Sequence, residues 1–143
     1  VFMLARAAEA RDGTTGEHIN SVRDLAIELA QATGATPAVS ELIGWSGMLH
    51  DVGKLRVPDS ILLKPGKLDP HEWETIQKHT IWGEELLEGG EHFALARRIA
   101  RWHHENWDGS GYPDRVKGEE LRRLRGAHFD PELTDLFLAL RGA

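Results

Sequence analysis

Residues 36–54 read TPAVSELIGWSGMLHDVGK, a stretch that predicts a helix ending in a cluster of polar side chains. Thr36 is a favourable N-cap, and Pro37 fits the first helical position because a helix start leaves the amide group there unpaired. The apolar residues recur at helical spacing. We expect them to form the inward face of this helix, which comprises Ala38, Leu42, Trp45, Leu49 and Val52. His50 and Asp51 lie at its C-terminal end.

Upstream of this stretch, the sequence predicts two further helices. The opening residues 1–11 mix apolar and charged side chains in an order typical of a helix and unlike a signal peptide. A second apolar stripe follows and stops at Gly34, a residue type that commonly ends helices. The members of that stripe are Ile19, Val22, Leu25, Ala26, Leu29 and Ala30.

Downstream, Asp69-Pro70-His71-Glu72 combines a capping aspartate, a proline at the first helical position and a glutamate that completes a capping box. The helix that it starts has an inward face of Trp73, Ile76, Gly83, Leu86 and Leu87. Residues 93–105 predict an amphipathic helix whose inward residues are Ala96, Ile99 and Ala100. A last helix beginning at Asp130-Pro131 carries Leu133, Leu136, Phe137 and Leu140.

Two glycine- and proline-rich stretches, residues 57–66 and 108–113, predict connecting loops. Strand signals are weak throughout, so the predicted fold class is all-α. The chain has 143 residues, the length of one domain. It does not begin with Met, which indicates a piece of a longer protein.

Composition excludes several kinds of chemistry. The chain has no cysteine, so it has no disulfide, no thiolate zinc site and no cysteine nucleophile, which fits a reducing, cytoplasmic location. The net charge of −6 provides no general attraction for a nucleic acid polymer or an anionic membrane. No apolar run approaches the roughly 18 residues that a membrane span needs.

The eight histidines are informative because several share the apolar faces of the predicted helices. His79 lies on the stripe of Ile76 and Gly83, while His103 and His104 follow four residues after the inward-facing Ile99 and Ala100, and His50-Asp51 follows Leu49. Burying several imidazoles and a carboxylate without a partner costs several kcal/mol, and a bound cation removes that cost. Nitrogen and oxygen ligands suit Fe, Mn, Zn or Ni, and Asp51 is the natural bridge between two metal ions. The remaining histidines that we interpret as ordinary polar positions are His71, His92 and His128.

The same residues resemble a known family. Residues 49–54 (LHDVGK) are similar to the signature of the HD phosphohydrolase superfamily, and residues 103–113 (HHENWDGSGYP) resemble the second signature of its HD-GYP subfamily. Residues 57–68, 117–120 and 128–133 are also similar to that subfamily. The resemblance implies one helical HD domain over residues 1–143, with an exposed loop at Gly111-Tyr112-Pro113.

The resemblance implies hydrolysis of the second messenger cyclic di-GMP to pGpG, GMP or both, with two divalent metal ions. Fe or Mn are favoured, with Zn or Ni as alternatives. The implied metal ligands are His50, Asp51, His79, His103 and His104, with His18 as a further candidate. Gly13 stands where some members carry a glutamate for a third metal, which favours two. The implied catalytic residues are Asp51 and Lys54.

The predicted substrate contacts are Lys54 and the loop residues Gly111, Tyr112, Pro113, Arg115 and Lys117. Tyr112 is a better candidate for contact with a guanine base than Trp102 or Trp107, which we expect to be core residues. Other partners that the family implies are diguanylate cyclase (GGDEF) domains at the exposed loop, a fused sensor or receiver domain, and a second copy in a homodimer.

One departure from the family affects the metal site. The family carries a helix with an aspartate ligand that this sequence lacks between Glu120 and His128. Three explanations remain open: a disordered segment omitted near residues 120–121, which we favour, a natural deletion, or a substitute acid such as Glu105 or one from a neighbouring chain. The alternative functions are a degenerate regulatory module that binds cyclic di-GMP or a cyclase partner, and a hydrolase acting on another nucleotide or phosphoester.

Overall fold

The computed structural model describes residues 1–12 and 17–118, and the prediction of an all-α fold is confirmed over these residues, which contain no strand. Two short 3-10 helices, Val52–Arg56 and Glu91–Phe93, lie between α-helices. The α-helices are α1 Phe2–Asp12, α2 Glu17–Ala32, α3 Pro37–Gly47, α4 Asp59–Leu62, α5 Pro70–Gln77, α6 His79–Leu86 and α7 Ala94–Trp102. The helix predicted from Asp130 lies outside the described residues. None of the described helices is long and apolar enough to cross a membrane.

The predicted helix starts are confirmed in atomic detail. The hydroxyl of Thr36 accepts a hydrogen bond from the amide of Val39 at the start of α3. At the start of α5, the Asp69 carboxylate accepts from the Glu72 amide and the Glu72 carboxylate accepts from the Asp69 amide, so the capping box is complete. Gly34 follows α2 with a φ of 91°, the left-handed conformation that favours glycine.

The predicted inward face of α3 is wrong in part. Ala38, Leu42 and Trp45 are exposed, whereas three small residues are buried, namely Ser40, Gly44 and Gly47. A Cβ atom added to Gly44 would lie 2.6 Å from Cγ1 of Ile27, so α2 and α3 cross closely where α3 lacks a side chain. Apolar periodicity identifies stripes of large residues, and it therefore misses a helix face that packs through small ones.

Several other predicted faces and boundaries also differ. Leu25 and Leu29 of α2 are exposed, and so are Trp73 and Leu86. The single helix predicted from Asp69 is in fact two helices, α5 and α6, which are separated at Lys78. The amphipathic helix α7 ends three residues before the predicted position 105, and the predicted loop at 57–66 contains the short helix α4.

The hydrophobic core lies directly beneath the polar cluster. Its buried members include Ala5, Ile19, Met48, Leu49, Val52, Leu87, Ala96 and Ala100. Leu49 and Val52 flank His50 and Asp51 in the chain, and both are about 1% exposed. These apolar anchors hold the turn between α3 and the first 3-10 helix against α6 and α7.

Candidate metal centre

Four of the six predicted metal ligands converge in one place. The ligand atoms of Asp51, His79, His103 and His104 all lie within 4.8 Å of one another. Asp51 precedes the 3-10 helix, His79 is the first residue of α6, and the two adjacent histidines follow the end of α7. Three separate segments therefore supply the cluster, which agrees with the interpretation of the sequence.

The carboxylate of Asp51 is at the middle of this arrangement. Its Oδ1 atom lies 3.3 Å from His79 Nε2 and 3.6 Å from His103 Nε2. Its Oδ2 atom lies 3.1 Å from His50 Nε2 and 2.7 Å from Lys54 Nζ. The two oxygens of one carboxylate therefore face two different sets of side chains.

Backbone contacts determine which nitrogen of each buried imidazole carries the proton. His79 Nδ1 donates to the Ile76 carbonyl at 2.7 Å, and His103 Nδ1 lies 3.0 Å from the Ala100 carbonyl. In the neutral tautomers that these contacts select, each Nε2 atom bears a lone pair. Those two Nε2 atoms are only 3.2 Å apart. Two facing lone pairs repel each other unless a positive charge lies between them.

The unpaired oxygen of Asp51 leads to the same conclusion. Oδ1 is buried and accepts no well-directed hydrogen bond, although two imidazole nitrogens lie close to it. A buried carboxylate oxygen without a donor is costly. A divalent cation bound to Oδ1 and to the Nε2 atoms would satisfy all of these groups at once, and fixing a ligand histidine through its other nitrogen is usual at metal sites. The cluster therefore has the composition and geometry of a divalent metal site.

The electrostatics also suit a cation. Burial opposes ionisation of Asp51, yet the hydrogen bond and charge of the His50 imidazole, whose Nε2 lies 3.1 Å from Oδ2, hold the pKa of the carboxyl below its usual range. Burial lowers the pKa of His103, and burial together with the neighbouring His103 lowers the pKa of His104 to about 4. Asp51 is consequently an anion at neutral pH, while His103 and His104 are neutral and able to coordinate.

The other two predicted ligands lie at one side of the cluster. His50 contacts Oδ2 of Asp51 through Nε2, and its Nδ1 lies 2.8 Å from the Gly47 carbonyl. Burial lowers the pKa of His50, but the hydrogen bond and charge of Asp51 outweigh burial and raise it overall. His18 is exposed, and its ring centroid is 6.2 Å from that of His50. Whether either residue binds metal stays a prediction.

The turn that carries Asp51 can approach α6 only because Gly53 has no side chain. A Cβ atom on Gly53 would lie 1.8 Å from the His79 carbonyl oxygen and 2.5 Å from the Gly83 amide nitrogen. Gly83 in turn packs against Ala100 of α7, where an added Cβ would lie 3.1 Å from the alanine Cβ. Glycine at these positions therefore allows the three segments of the cluster to meet.

The Glu105 carboxylate holds the loop after His104. It accepts hydrogen bonds from the amides of Asp114, Arg115 and Val116 at 2.7, 2.9 and 3.0 Å. Both of its oxygens bind backbone amides, and whether Glu105 also replaces the missing metal ligand stays a prediction. Trp102 is likewise engaged, through a hydrogen bond from its indole nitrogen to Asp114 at 2.7 Å.

The predicted substrate residues of the loop have different surroundings. Tyr112 stacks on His104, with ring centroids 4.6 Å apart, and burial raises its pKa to about 12. The prediction that the loop at Gly111-Tyr112-Pro113 is exposed is wrong in part, since Gly111 is buried and the other two residues are half-buried. A Cβ added to Gly111 would lie 2.4 Å from the His104 carbonyl oxygen. Pro113 follows Tyr112 through a cis peptide bond. The two cationic residues of the loop, Arg115 and Lys117, are exposed.

Sequence reasoning missed two residues near the centre. Arg11 of α1 donates hydrogen bonds to the carbonyls of Lys54, Leu55 and Val57, the backbone that follows Asp51. Trp73 of α5, which we expected in the core, is 49% exposed and contacts Tyr112. No periodic signal reveals either contact, because each depends on segments that are distant in sequence.

This helical fold, in which the buried His79 meets the half-buried Asp51 and His103 and the exposed His104, has the features of a metal-binding helical domain, and comparison with known proteins identifies the family. The family model described as HD domain matches residues 3–125. The chain belongs to the HD domain family.

Three relatives show how far the similarity extends. A 3'3'-cGAMP-specific phosphodiesterase 2 of Vibrio cholerae is 37% identical over 96% of this chain and 34% of its own length. A cyclic di-GMP phosphodiesterase of the same species is 40% identical over 85% of this chain and 28% of its own length. The cyclic di-GMP phosphodiesterase response regulator RpfG of Xanthomonas campestris is 41% identical over 82% and 32%. The chain thus spans about a third of the length of these relatives.

Proposed function

We propose that this domain is a metal-dependent phosphodiesterase that hydrolyses cyclic di-GMP to pGpG, GMP or both. The observation that carries the proposal is the buried Oδ1 atom of Asp51, which has no hydrogen-bond donor and faces the Nε2 atoms of His79 and His103. The names of the relatives support the reaction, since each is called a phosphodiesterase of a cyclic dinucleotide.

The residues of the cluster and Lys54 would have different roles in the reaction. A divalent cation supplies charge that lowers the pKa of water and neutralises phosphoryl oxygens. Asp51, His79, His103 and His104 would hold such a cation, because their ligand atoms lie within 4.8 Å of one another. Lys54, whose ammonium is 2.7 Å from Asp51 Oδ2, would contact a phosphoryl oxygen of the substrate and stabilise its developing charge.

The two oxygens of Asp51 support a site for two cations, with Fe or Mn favoured. Oδ1 faces His79 and His103, whereas Oδ2 faces His50. The Lys54 ammonium lies on Oδ2, where a second cation would bind. Oδ2 and His50 would hold the second cation, and Lys54 would then direct its ammonium to the substrate instead of Oδ2.

The test is product analysis after incubation of the protein with cyclic di-GMP and added Mn²⁺ or Fe²⁺. We expect pGpG or GMP with the unchanged protein and none with Asp51→Ala or His50→Ala. Asp24→Asn is the matched control, since Asp24 is an exposed carboxylate that pairs with the adjacent Arg23. Metal-loaded protein that binds cyclic di-GMP without cleaving it would contradict the proposal and favour a regulatory binding module.

A second substrate, 3'3'-cGAMP, has a specific observation in its favour. The relative named for that substrate is 37% identical over 96% of the chain. Both cyclic dinucleotides present the same phosphodiester to the metal centre and differ in one purine base. Parallel assays of the two substrates with one preparation of protein would distinguish them by the ratio of kcat/KM.

The metal-binding aspartate that the family carries between Glu120 and His128 would affect whether this protein hydrolyses its substrate. The alignment with the cGAMP-specific relative extends over 175 positions, whereas this chain has 143 residues, so at least 32 aligned positions have no counterpart here. This difference supports a segment present in relatives and missing from the sequence. An intact mass well above 16.0 kDa would indicate that the natural protein contains it, and a mass near 16.0 kDa would favour the degenerate module.

We also propose three protein partners, namely a fused domain, a cyclase domain and a second copy of the chain. A sensor or receiver domain would be fused to this domain, since the relatives are about three times as long as the matched region. A cyclase domain would bind at Gly111-Tyr112-Pro113, and a second copy of the chain would form a homodimer. Co-purification and sedimentation experiments would test these two contacts.

A further inference from the structure

Trp73 presents an exposed aromatic surface beside the metal centre. Trp73 is the fourth residue of α5, and it is 49% exposed. The indole packs edge to face against the ring of Tyr112, with centroids 6.5 Å apart and an angle of 77° between the rings. An exposed indole at a ligand cleft is a common stacking surface for nucleobases, because every base has a π-face.

A continuous set of ring contacts connects Trp73 to the cluster. Tyr112 stacks on His104 with centroids 4.6 Å apart and an angle of 23° between the rings, and its centroid is 6.4 Å from that of His79. Because His104 covers one face of the Tyr112 ring, that ring is partly occupied by a protein contact. The Trp73 indole lies one ring further from the cluster, on the side of Tyr112 that the contact with His104 leaves open to a neighbouring ring.

The backbone beneath Trp73 is held firmly. The Trp73 amide donates to the Asp69 carbonyl at 2.9 Å, and the capping box between Asp69 and Glu72 fixes the first turn of α5. The Glu72 carboxylate also pairs with the Lys64 ammonium at 2.5 Å. A platform that is ordered before the ligand arrives loses less entropy on binding.

The other indoles near the surface are less suited to this role. Trp102 donates a hydrogen bond to Asp114, and Gly118 packs against Trp107 so closely that an added Cβ would lie 2.3 Å from its ring. Trp45 is 41% exposed, but the Arg23 guanidinium lies 4.6 Å from its ring centroid. Trp73 therefore combines exposure with nearness to the metal centre.

We propose that the indole of Trp73 stacks on a purine base of the cyclic dinucleotide and so acts as a substrate-binding and specificity residue. This inference rests on the proposed function. Base stacking on an aromatic side chain contributes an affinity factor of about 5 to 100 per base. Trp73 should consequently favour substrates that carry a purine over those that present the phosphodiester alone.

The experiment compares cyclic di-GMP with methyl p-nitrophenyl phosphate, a phosphodiester without a purine, on the full chain loaded with Mn²⁺. In Trp73→Ala we expect the ratio of kcat/KM for the two substrates to fall by about 5- to 100-fold, through a higher KM for cyclic di-GMP. Trp73→Phe should restore most of the ratio. Trp45→Ala, a change of another exposed indole on α3, should leave the ratio as in the unchanged protein.

Two results would overturn the role of Trp73: an unchanged ratio in Trp73→Ala, or an equal loss on both substrates, which would indicate a structural effect. If the unchanged protein cleaves neither substrate, the proposed phosphodiesterase function is wrong, but the stacking role of Trp73 can still be tested. Equilibrium dialysis with cyclic di-GMP then measures binding by the unchanged protein and by Trp73→Ala. Binding that weakens by about 5- to 100-fold in Trp73→Ala would support the stacking role without hydrolysis. Absence of binding, or equal binding by both proteins, would overturn it.

Discussion

Gly53 illustrates, at the scale of single residues, how a position without a side chain determines the geometry of the metal centre. The residue lies two positions after Asp51, and a Cβ atom there would lie 1.8 Å from the His79 carbonyl oxygen and 2.5 Å from the Gly83 amide nitrogen. Any Cβ there would push the 3-10 helix away from α6. Asp51 and His79 would then separate, and their facing oxygen and imidazole nitrogen would be too far apart to bind one cation.

We therefore expect Gly53→Ala to lower the free energy of unfolding by about 2–4 kcal/mol, as overpacking and strain do elsewhere, and to weaken metal binding. Urea unfolding and a Mn²⁺ titration would measure the two effects. Gly47→Ala is the control, because a Cβ there would meet its nearest neighbour, Val22 Cγ1, at an ordinary 3.8 Å. Equal stability of the two variants would contradict the packing argument.

Glu105 acts at the same scale, by binding three consecutive amides of the loop that carries Tyr112. Glu105→Gln keeps the size of the side chain and removes one acceptor oxygen and the charge. We expect hydrogen exchange at the amides of residues 114–116 to become about 10-fold faster, consistent with loss of roughly 1–2 kcal/mol of hydrogen bonding to a charged group. Exchange rates that match those of the unchanged protein would show that the carboxylate does not order the loop. The exposed Glu74→Gln serves as the control.

At the scale of elements, Arg11 fastens α1 to the turn that follows Asp51. Its guanidinium donates to the carbonyls of Leu55 and Val57, the latter at 3.0 Å, and pairs with the Asp59 carboxylate at 2.5 Å. The carbonyls of a 3-10 helix end need donors, and this side chain supplies them from another helix.

Arg11→Ala should lower the free energy of unfolding by about 1–3 kcal/mol, because it leaves several part-buried carbonyls without a donor. Arg6→Ala provides a matched control on the same helix. The Arg6 guanidinium lies 5.7 Å from the centroid of the Phe2 ring and has no backbone carbonyl partner among the described residues. Chemical denaturation of both variants measures the difference. A loss in Arg6→Ala as large as in Arg11→Ala would contradict the assigned role.

The elements also show what a sequence can and cannot predict. Asp69 and Glu72 act locally, so their capping box was predictable from spacing alone. The inward positions of His79 and His103 were predictable because each shares a stripe with apolar neighbours. The exposed Trp73, in contrast, follows the same periodicity as a core residue, and its surroundings depend on the loop at Tyr112. Long-range contacts of this kind leave no period in the sequence.

For the whole molecule, we expect acid to lower the free energy of unfolding, in part because it breaks the ion pair between Arg101 and Asp114 in the loop after His104. The bidentate Arg101 guanidinium, together with the Trp102 indole, holds the pKa of Asp114 below its usual range. The pairing therefore stabilises the folded state above the unfolded pKa of Asp114. It is lost as the pH falls through the lower, folded pKa.

We expect the metal-free protein to lose up to about 1 kcal/mol of stability from this pair between pH 5 and pH 2, since the partners are partly exposed. Asp114→Asn should be less stable than the unchanged protein at pH 5 and should lose correspondingly less on acidification. Urea unfolding at both pH values would measure this. Parallel curves for the two proteins would exclude a contribution from Asp114.

The central claim is that Asp51 and the histidines around it form a divalent metal site, and calorimetric titration of the metal-free full chain with Mn²⁺ tests it most directly. We predict saturable binding that Asp51→Asn weakens by more than about 100-fold, while Asp24→Asn binds as the unchanged protein does. No saturable binding, or equal affinity of the Asp51→Asn variant, would contradict the claim.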